Sequence, residues 1–145
     1  MTATAHALVG GAIAASISNP VIGLPLAALS HPLMDMTPHW DFGCGWRKKN
    51  KIILFGQSCF DVALGLFLTY LFFGRSVDLT YLAAAVFISE AWDLLMVPYL
   101  FGLKFLPFSA FYNVQSAINV NIKLPWGILT QVATVVVTVL LLKVF

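Results

Sequence analysis

The sequence predicts an all-α fold, a polytopic membrane helix bundle of about five helices opening with a short N-terminal helical hairpin. Three observations carry this. Hydrophobic residues make up 60% of the 145 and charged residues 10%, against about 45–50% and about 25% in an average soluble domain. A soluble chain this short has too little interior to hide so much apolar surface, so lipid is expected to cover part of it. Second, residues 52–73, 79–101 and 124–145 are apolar runs near the roughly 20 residues that cross a hydrocarbon core. Third, an earlier apolar run over residues 5–35 is interrupted by strong turn signals. No repeat or low-complexity tract divides the chain, so residues 1–145 read as one integral membrane domain.

The first run, read as one helix, would be about 45 Å long with prolines in its interior. Asn19-Pro20 is a turn signal, and the residue before a proline avoids helical geometry. We therefore expect two antiparallel helices, about 5–18 and 21–36. Ala5, Gly10, Gly11, Ala12, Ala14 and Ala15 leave the first almost without bulk, so neighbouring helices can approach its backbone. Pro38 ends the second helix, and His39 and Asp41 follow in its exit turn. Residues 105–123, rich in Phe and Tyr, read as an interfacial segment.

Orientation follows from the cations. With the N-terminus inside, the loops 36–51 and 102–123 carry Arg47, Lys48, Lys49, Lys51, Lys104 and Lys123, and the opposite side carries Arg75 and Lys143. That asymmetry fits a cytoplasmic N-terminus. Trp40, Trp46 and Trp126 fall at the expected cytoplasmic helix ends, as interfacial aromatics do. "MTATAHALVGG" lacks a basic n-region, so no cleavable signal peptide is expected. A net charge of +2, without interleaved basic and aromatic residues, argues against nucleic acid. Cys44 and Cys59 define no disulfide framework.

The polar residues are concentrated. "SHPLMDMTPHWDFG", residues 30–43, holds two of the three histidines and two of the six acids. If the chain turns at 19–20, His6, His31 and Asp35 reach similar height, with His31 and Asp35 one helical turn apart. A continuous helix would instead separate His6 from His31 by about 38 Å. Asp61 and Asp93 sit at comparable depth in the next two helices, with Glu90 one turn deeper. Carboxylates there cost several kcal/mol unless paired, protonated or bound to a cation. Imidazole and carboxylate suit a divalent metal, Zn²⁺ first, with Mn or Fe as alternatives. His6, His31, Asp35 and Asp61 are the expected ligands, and His39, Asp41 and Asp93 the further ligand, base or orienting groups. Gln57, Asn113, Gln115 and Gln131 are amides able to orient a ligand or substrate, and Cys44 is a minor ligand candidate. Just below the headgroups, the natural electrophile is a lipid ester or phosphodiester.

Residues 6–41, "HALVGGAIAASISNPVIGLPLAALSHPLMDMTPHWD", resemble the N-terminal half of small bacterial membrane-bound metal-dependent hydrolases, loosely grouped with zinc-dependent phospholipase C-like proteins. The matching features are His6, the Pro20 turn, His31-x3-Asp35 and the Pro38-His39-x-Asp41 exit. Asp61 matches a membrane aspartate in the next helix, and "LPWGILTQ" at 124–131 resembles the closing motif. The chain departs from that pattern at residues 111–123, which hold no histidine, and at "ISEAWD". The resemblance implies a bacterial inner-membrane hydrolase with a metal cofactor and a lipid or phosphorylated substrate. Two alternatives stand beside it: a proton- or ion-coupled transporter with Asp61, Glu90 and Asp93 as a relay, and a non-catalytic subunit or assembly factor of a larger membrane complex or oligomer.

Overall fold

The computed structural model describes residues 1–142. Their seven α-helices are α1 (Ala3–Ser16), α2 (Pro20–Asp35), α3 (Lys51–Phe73), α4 (Leu79–Ser89), α5 (Ala91–Leu100), α6 (Phe108–Ile118) and α7 (Trp126–Leu141), with a 3₁₀ turn at Trp46–Lys48. No strand forms among the described residues; residues 143–145, including Lys143 and the end of the run expected over 124–145, lie outside them.

Helix α1 is the hub. Its small residues let α2, α3, α4 and α7 all pack on it, and Ala5, Ala7, Val9, Ala12 and Ala14 are buried around its circumference. A helix apolar on every side belongs in an interior. Gly10 is required there: a Cβ at that position would sit 2.6 Å from Ser89 Oγ and 3.0 Å from the Ala85 carbonyl oxygen. The chain leaves α1 at Ile17, whose carbonyl accepts from Tyr81 Oη at 2.8 Å, and Asn19 caps α2 by accepting from Val21 N at 3.0 Å. The break between the first two helices is thus where the Asn-Pro signal placed it.

Helix α2 carries Pro25 and Pro32 in its interior. A proline at position i removes the hydrogen bond to the carbonyl at i−4. For Pro32 that carbonyl belongs to Ala28, and the Trp92 indole N–H donates to it at 3.0 Å. The vacated acceptor becomes a link between α2 and α5.

The run 79–101, expected as one helix, is two helices bent by 46° at Glu90. Neither glycine nor proline explains the bend. At the break the Ser89 carbonyl accepts from His31 Nδ1 at 2.6 Å, and Glu90 N is shared between the Val86 and Phe87 carbonyls. A side chain drawing on the carbonyl ladder is a recognised cause of bending.

Among the described residues α3 alone is long and apolar enough to cross a membrane by itself; α4 with α5 would form a second, bent span, and α1 and α7 are apolar but shorter. Phe55, Phe60, Phe67 and Leu71 stand exposed along α3. The segment expected to be interfacial contains α6, followed by residues 119–122, which pair with the exit of α2. His39 N donates to Val120 O at 2.9 Å, Ile122 N to His39 O at 2.8 Å, and Val120 N to Asp35 O at 3.1 Å.

Candidate metal centre

The hairpin places the first two candidates face to face. The His6 and His31 rings stack with centroids 3.8 Å apart and planes 9° from parallel. Asp35, one turn beyond His31, lies between them and the exit turn. Its Oδ1 is 3.2 Å from His6 Nε2 and 3.7 Å from His39 Nε2, and its Oδ2 is 3.5 Å from His31 Nε2. Three imidazole Nε2 atoms therefore surround one carboxylate. All four side chains are buried, the histidines at 0% and Asp35 at 1% exposure. His6, His31 and Asp35 form a group that could hold a metal ion, each offering a donor atom within 4.8 Å of the others.

The surroundings fix which nitrogen His31 and His39 offer. A carbonyl only accepts, so Nδ1 of His31, 2.6 Å from Ser89 O, carries a proton and leaves the Nε2 lone pair facing Asp35. His39 repeats the arrangement, with Nδ1 2.8 Å from Thr37 O. This is the outer support that metal-ligating histidines commonly have. Backbone pairing with residues 120–122 holds His39 in place, and Trp40 N donates to Gly127 O at 3.3 Å. Gly127 permits that approach, since a Cβ there would lie 2.5 Å from Trp40 Cβ.

A donor set suited to a cation leaves buried polar atoms unused by hydrogen bonds. Among the described residues His6 Nδ1 and Nε2, His39 Nε2 and Gln115 Oε1 are buried without a hydrogen-bond partner. His6 Nε2 is near Asp35 but makes no hydrogen bond with it. Donors bound about 2.0–2.1 Å from a tetrahedral ion are about 3.3–3.4 Å apart, close to the nitrogen–oxygen separations around Asp35. The spacing of His6, His31 and Asp35 fits a metal ion, which would take the place of the Met1 amino group at Asp35 Oδ1.

Other groups border this set. Asp93 Oδ1 is 3.6 Å from His31 Nε2, and its side chain is 36% exposed. Asp41 Oδ2 is 3.4 Å from His39 Nε2, with the side chain 14% exposed. The Gln115 amide touches Asp35 Oδ2 and lies 3.3 Å from His31 Nε2. The Met1 amino group also touches Asp35 Oδ1. Glu90 is buried at the α4–α5 break, with Oε1 lacking a hydrogen-bond partner among the described residues.

Asp61 is engaged elsewhere. Its Oδ2 accepts from Ala3 N at 2.7 Å, and its Oδ1 accepts from Thr4 Oγ1 at 2.7 Å and Thr4 N at 3.2 Å. An aspartate from α3 thus caps α1, where its charge suits the positive end of that helix. Gln131 joins it by accepting from Thr2 N at 3.3 Å. Cys44 Sγ donates to Asn121 Oδ1 at 2.6 Å, and burial pushes its thiol pKa up, against thiolate ligation. The Ser89 and Thr37 carbonyls had no sequence signal, because any residue supplies a carbonyl; Gln115 was one amide among several.

The class these features define is an all-helical protein with at least one possible membrane span and a buried His/Asp group able to hold a metal ion. Compared with protein-family models, curated proteins and solved structures, the chain matches none.

Proposed function

We propose that the protein is a polytopic membrane-embedded, metal-dependent hydrolase acting near the cytoplasmic membrane face on a lipid-like or phosphorylated substrate. The observation that carries this reading is the convergence of three imidazole Nε2 atoms on the buried Asp35 carboxylate. His6, His31 and Asp35 would hold the ion, His39 being the further donor in reach. Zn²⁺ suits such a set best, with Mn or Fe as alternatives. When bound, the ion supplies Lewis acidity toward water and toward a phosphoryl or acyl oxygen.

The chain's own residues divide the remaining work. Asp93 is the most exposed carboxylate beside the histidines and is the candidate general base. The Thr37 carbonyl holds the His39 ring at Nδ1, leaving Nε2 toward Asp35 with Asp41 beside it. Gln115 orients Asp35 from α6. Exposed apolar side chains on α2, α3, α5 and α7 support lipid as the surrounding medium. Placement in a bacterial inner membrane follows from the sequence resemblance, and the cytoplasmic N-terminus from the asymmetry of the cations.

Elemental analysis of detergent-purified protein tests the reading. Near-stoichiometric Zn, Mn or Fe is expected, with loss in His31→Ala and Asp35→Ala. Well-folded wild-type protein that takes up none of these ions would end it. Hydrolysis is then assayed on the loaded protein with short-chain phospholipids and soluble phosphodiesters.

A further inference from the structure

Three cations from separate segments meet at one concavity. Arg47 belongs to the 3₁₀ turn, Lys51 is the first residue of α3, and Lys104 lies in the loop after α5. They line a cavity of about 320 Å³ whose walls include Trp46, Tyr99 and Phe101, and no described residue lining it is acidic. A basic cluster at a helix end usually marks only the cytoplasmic side of a membrane. Here the charges converge instead of spreading over the surface, and the positive end of α3 adds to them.

Arg47 is also braced. Its guanidinium lies over Trp46, 5.6 Å from the ring centroid, and Nη2 donates to Tyr112 Oη at 3.3 Å. Tyr112 in turn stacks on Tyr99, with centroids 4.0 Å apart and planes at 16°. A guanidinium held this way loses less freedom when it binds an anion. Tyr112 and Gln115 are three residues apart on α6, about 4.5 Å along its axis, and Gln115 touches Asp35. One helix thus touches both a cation of the cavity and the carboxylate of the His/Asp group. Phe101 on its wall is exposed, as are Leu103, Phe105 and Leu106 in the loop that carries Lys104. An anionic head with an apolar tail would match both parts.

We propose that this cavity is an anion site that takes the phosphate of an anionic phospholipid headgroup, with Arg47, Lys51 and Lys104 as its cations. The inference rests on the membrane reading for the lipid tail and is independent of metal at His6, His31 and Asp35. Phosphate chemistry is shared by a lipid headgroup and by a soluble phosphoester, and the experiment separates the two.

The full-length protein in detergent is titrated with dioctanoyl phosphatidylglycerol, dioctanoyl phosphatidylcholine and inorganic phosphate, with thermophoresis as the readout. Phosphatidylglycerol is expected to bind at least about tenfold more tightly than phosphatidylcholine, and Arg47→Gln and Lys104→Gln each to weaken it roughly fivefold. Arg75→Gln, at the other end of α3, and treatment with a chelator are expected to leave the affinity unchanged. Inorganic phosphate competing as well as the lipid assigns the same pocket to a soluble phosphoester; lipid binding alone assigns it to the headgroup. Equal affinity for the two lipids together with no phosphate binding overturns the site, as do variants indistinguishable from wild type. Loss of binding on chelation also overturns it by placing the anion at the metal centre. Lys104 is exposed on a loop, so its variant remains informative where Arg47→Gln misfolds. If the protein stays in solution without detergent, the membrane reading fails while the phosphate titration still tests the pocket.

Discussion

Asp35→Asn removes the charge on which the histidines converge while keeping the shape of the side chain. The carboxylate is 1% exposed and lies 3.2, 3.5 and 3.7 Å from the Nε2 atoms of His6, His31 and His39. Removing one charged partner from a buried, hydrogen-bonded set costs about 3–5 kcal/mol; borne by metal binding, that is a loss of about 10²- to nearly 10⁴-fold in affinity. Metal at a hundred times its Kd stabilises a folded protein by about 2.7 kcal/mol, a rise in thermal midpoint of about 5–11 °C for a chain of this size. At the same metal concentration, a hundredfold weaker site gains only about 0.4 kcal/mol, or about 1–2 °C. The assay is the metal-induced shift in thermal midpoint, paired with elemental analysis after desalting. An Asp35→Asn protein with the wild-type shift and metal content would refute the placement of the ion at this carboxylate.

Asp61→Asn turns one acceptor of the α1 cap into a donor facing Ala3 N or Thr4 N; it should lower stability by about 1–2 kcal/mol with bound metal retained, whereas lost metal at an unchanged thermal midpoint would return Asp61 to the ligand set. Trp92→Phe leaves the Ala28 carbonyl unpaired and should cost about 1–3 kcal/mol. Adding Pro32→Ala restores a helical donor, so chemical denaturation of the double variant should show most of that loss recovered; simple additivity would contradict the assigned role of the indole. Gly10→Val drives a side chain against Ser89 and the Ala85 carbonyl, costing about 1–3 kcal/mol; because Ser89 O orients His31, metal retention should fall with the thermal midpoint, and unchanged retention would argue against that coupling. Burial raises the Cys44 thiol pKa above the ordinary 9.0, so its thiolate fraction at pH 8 is below that of a free thiol. In a Cys59→Ser background its alkylation by a water-soluble maleimide should reach half-maximal rate only above pH 9.0, and a lower midpoint would contradict the burial.

Much of the candidate centre was legible in local features. Asn19-Pro20 is a chemical instruction to turn, and the turn brings His6 against His31. His31 and Asp35 share a helix face by spacing alone. The bend at Glu90 was not legible, because no glycine or proline marks it and a histidine from another helix takes the Ser89 carbonyl. Asp61 matched the depth of the histidines along the chain, but depth leaves its direction open; the α1 backbone N–H groups claim its carboxylate.

The sequence by itself determined the all-helical character, the N-terminal hairpin and the grouping of His6, His31 and Asp35, since these follow from composition, turn chemistry and helical period. Only the tertiary structure decided that His39 joins Asp35, that Gln115 reaches it from α6, and that Arg47, Lys51 and Lys104 face one cavity. The physical reason is that composition and period act within a segment. The backbone pairing of residues 119–122 with the exit of α2, and the rotation of each helix about its own axis, depend on which surfaces pack together.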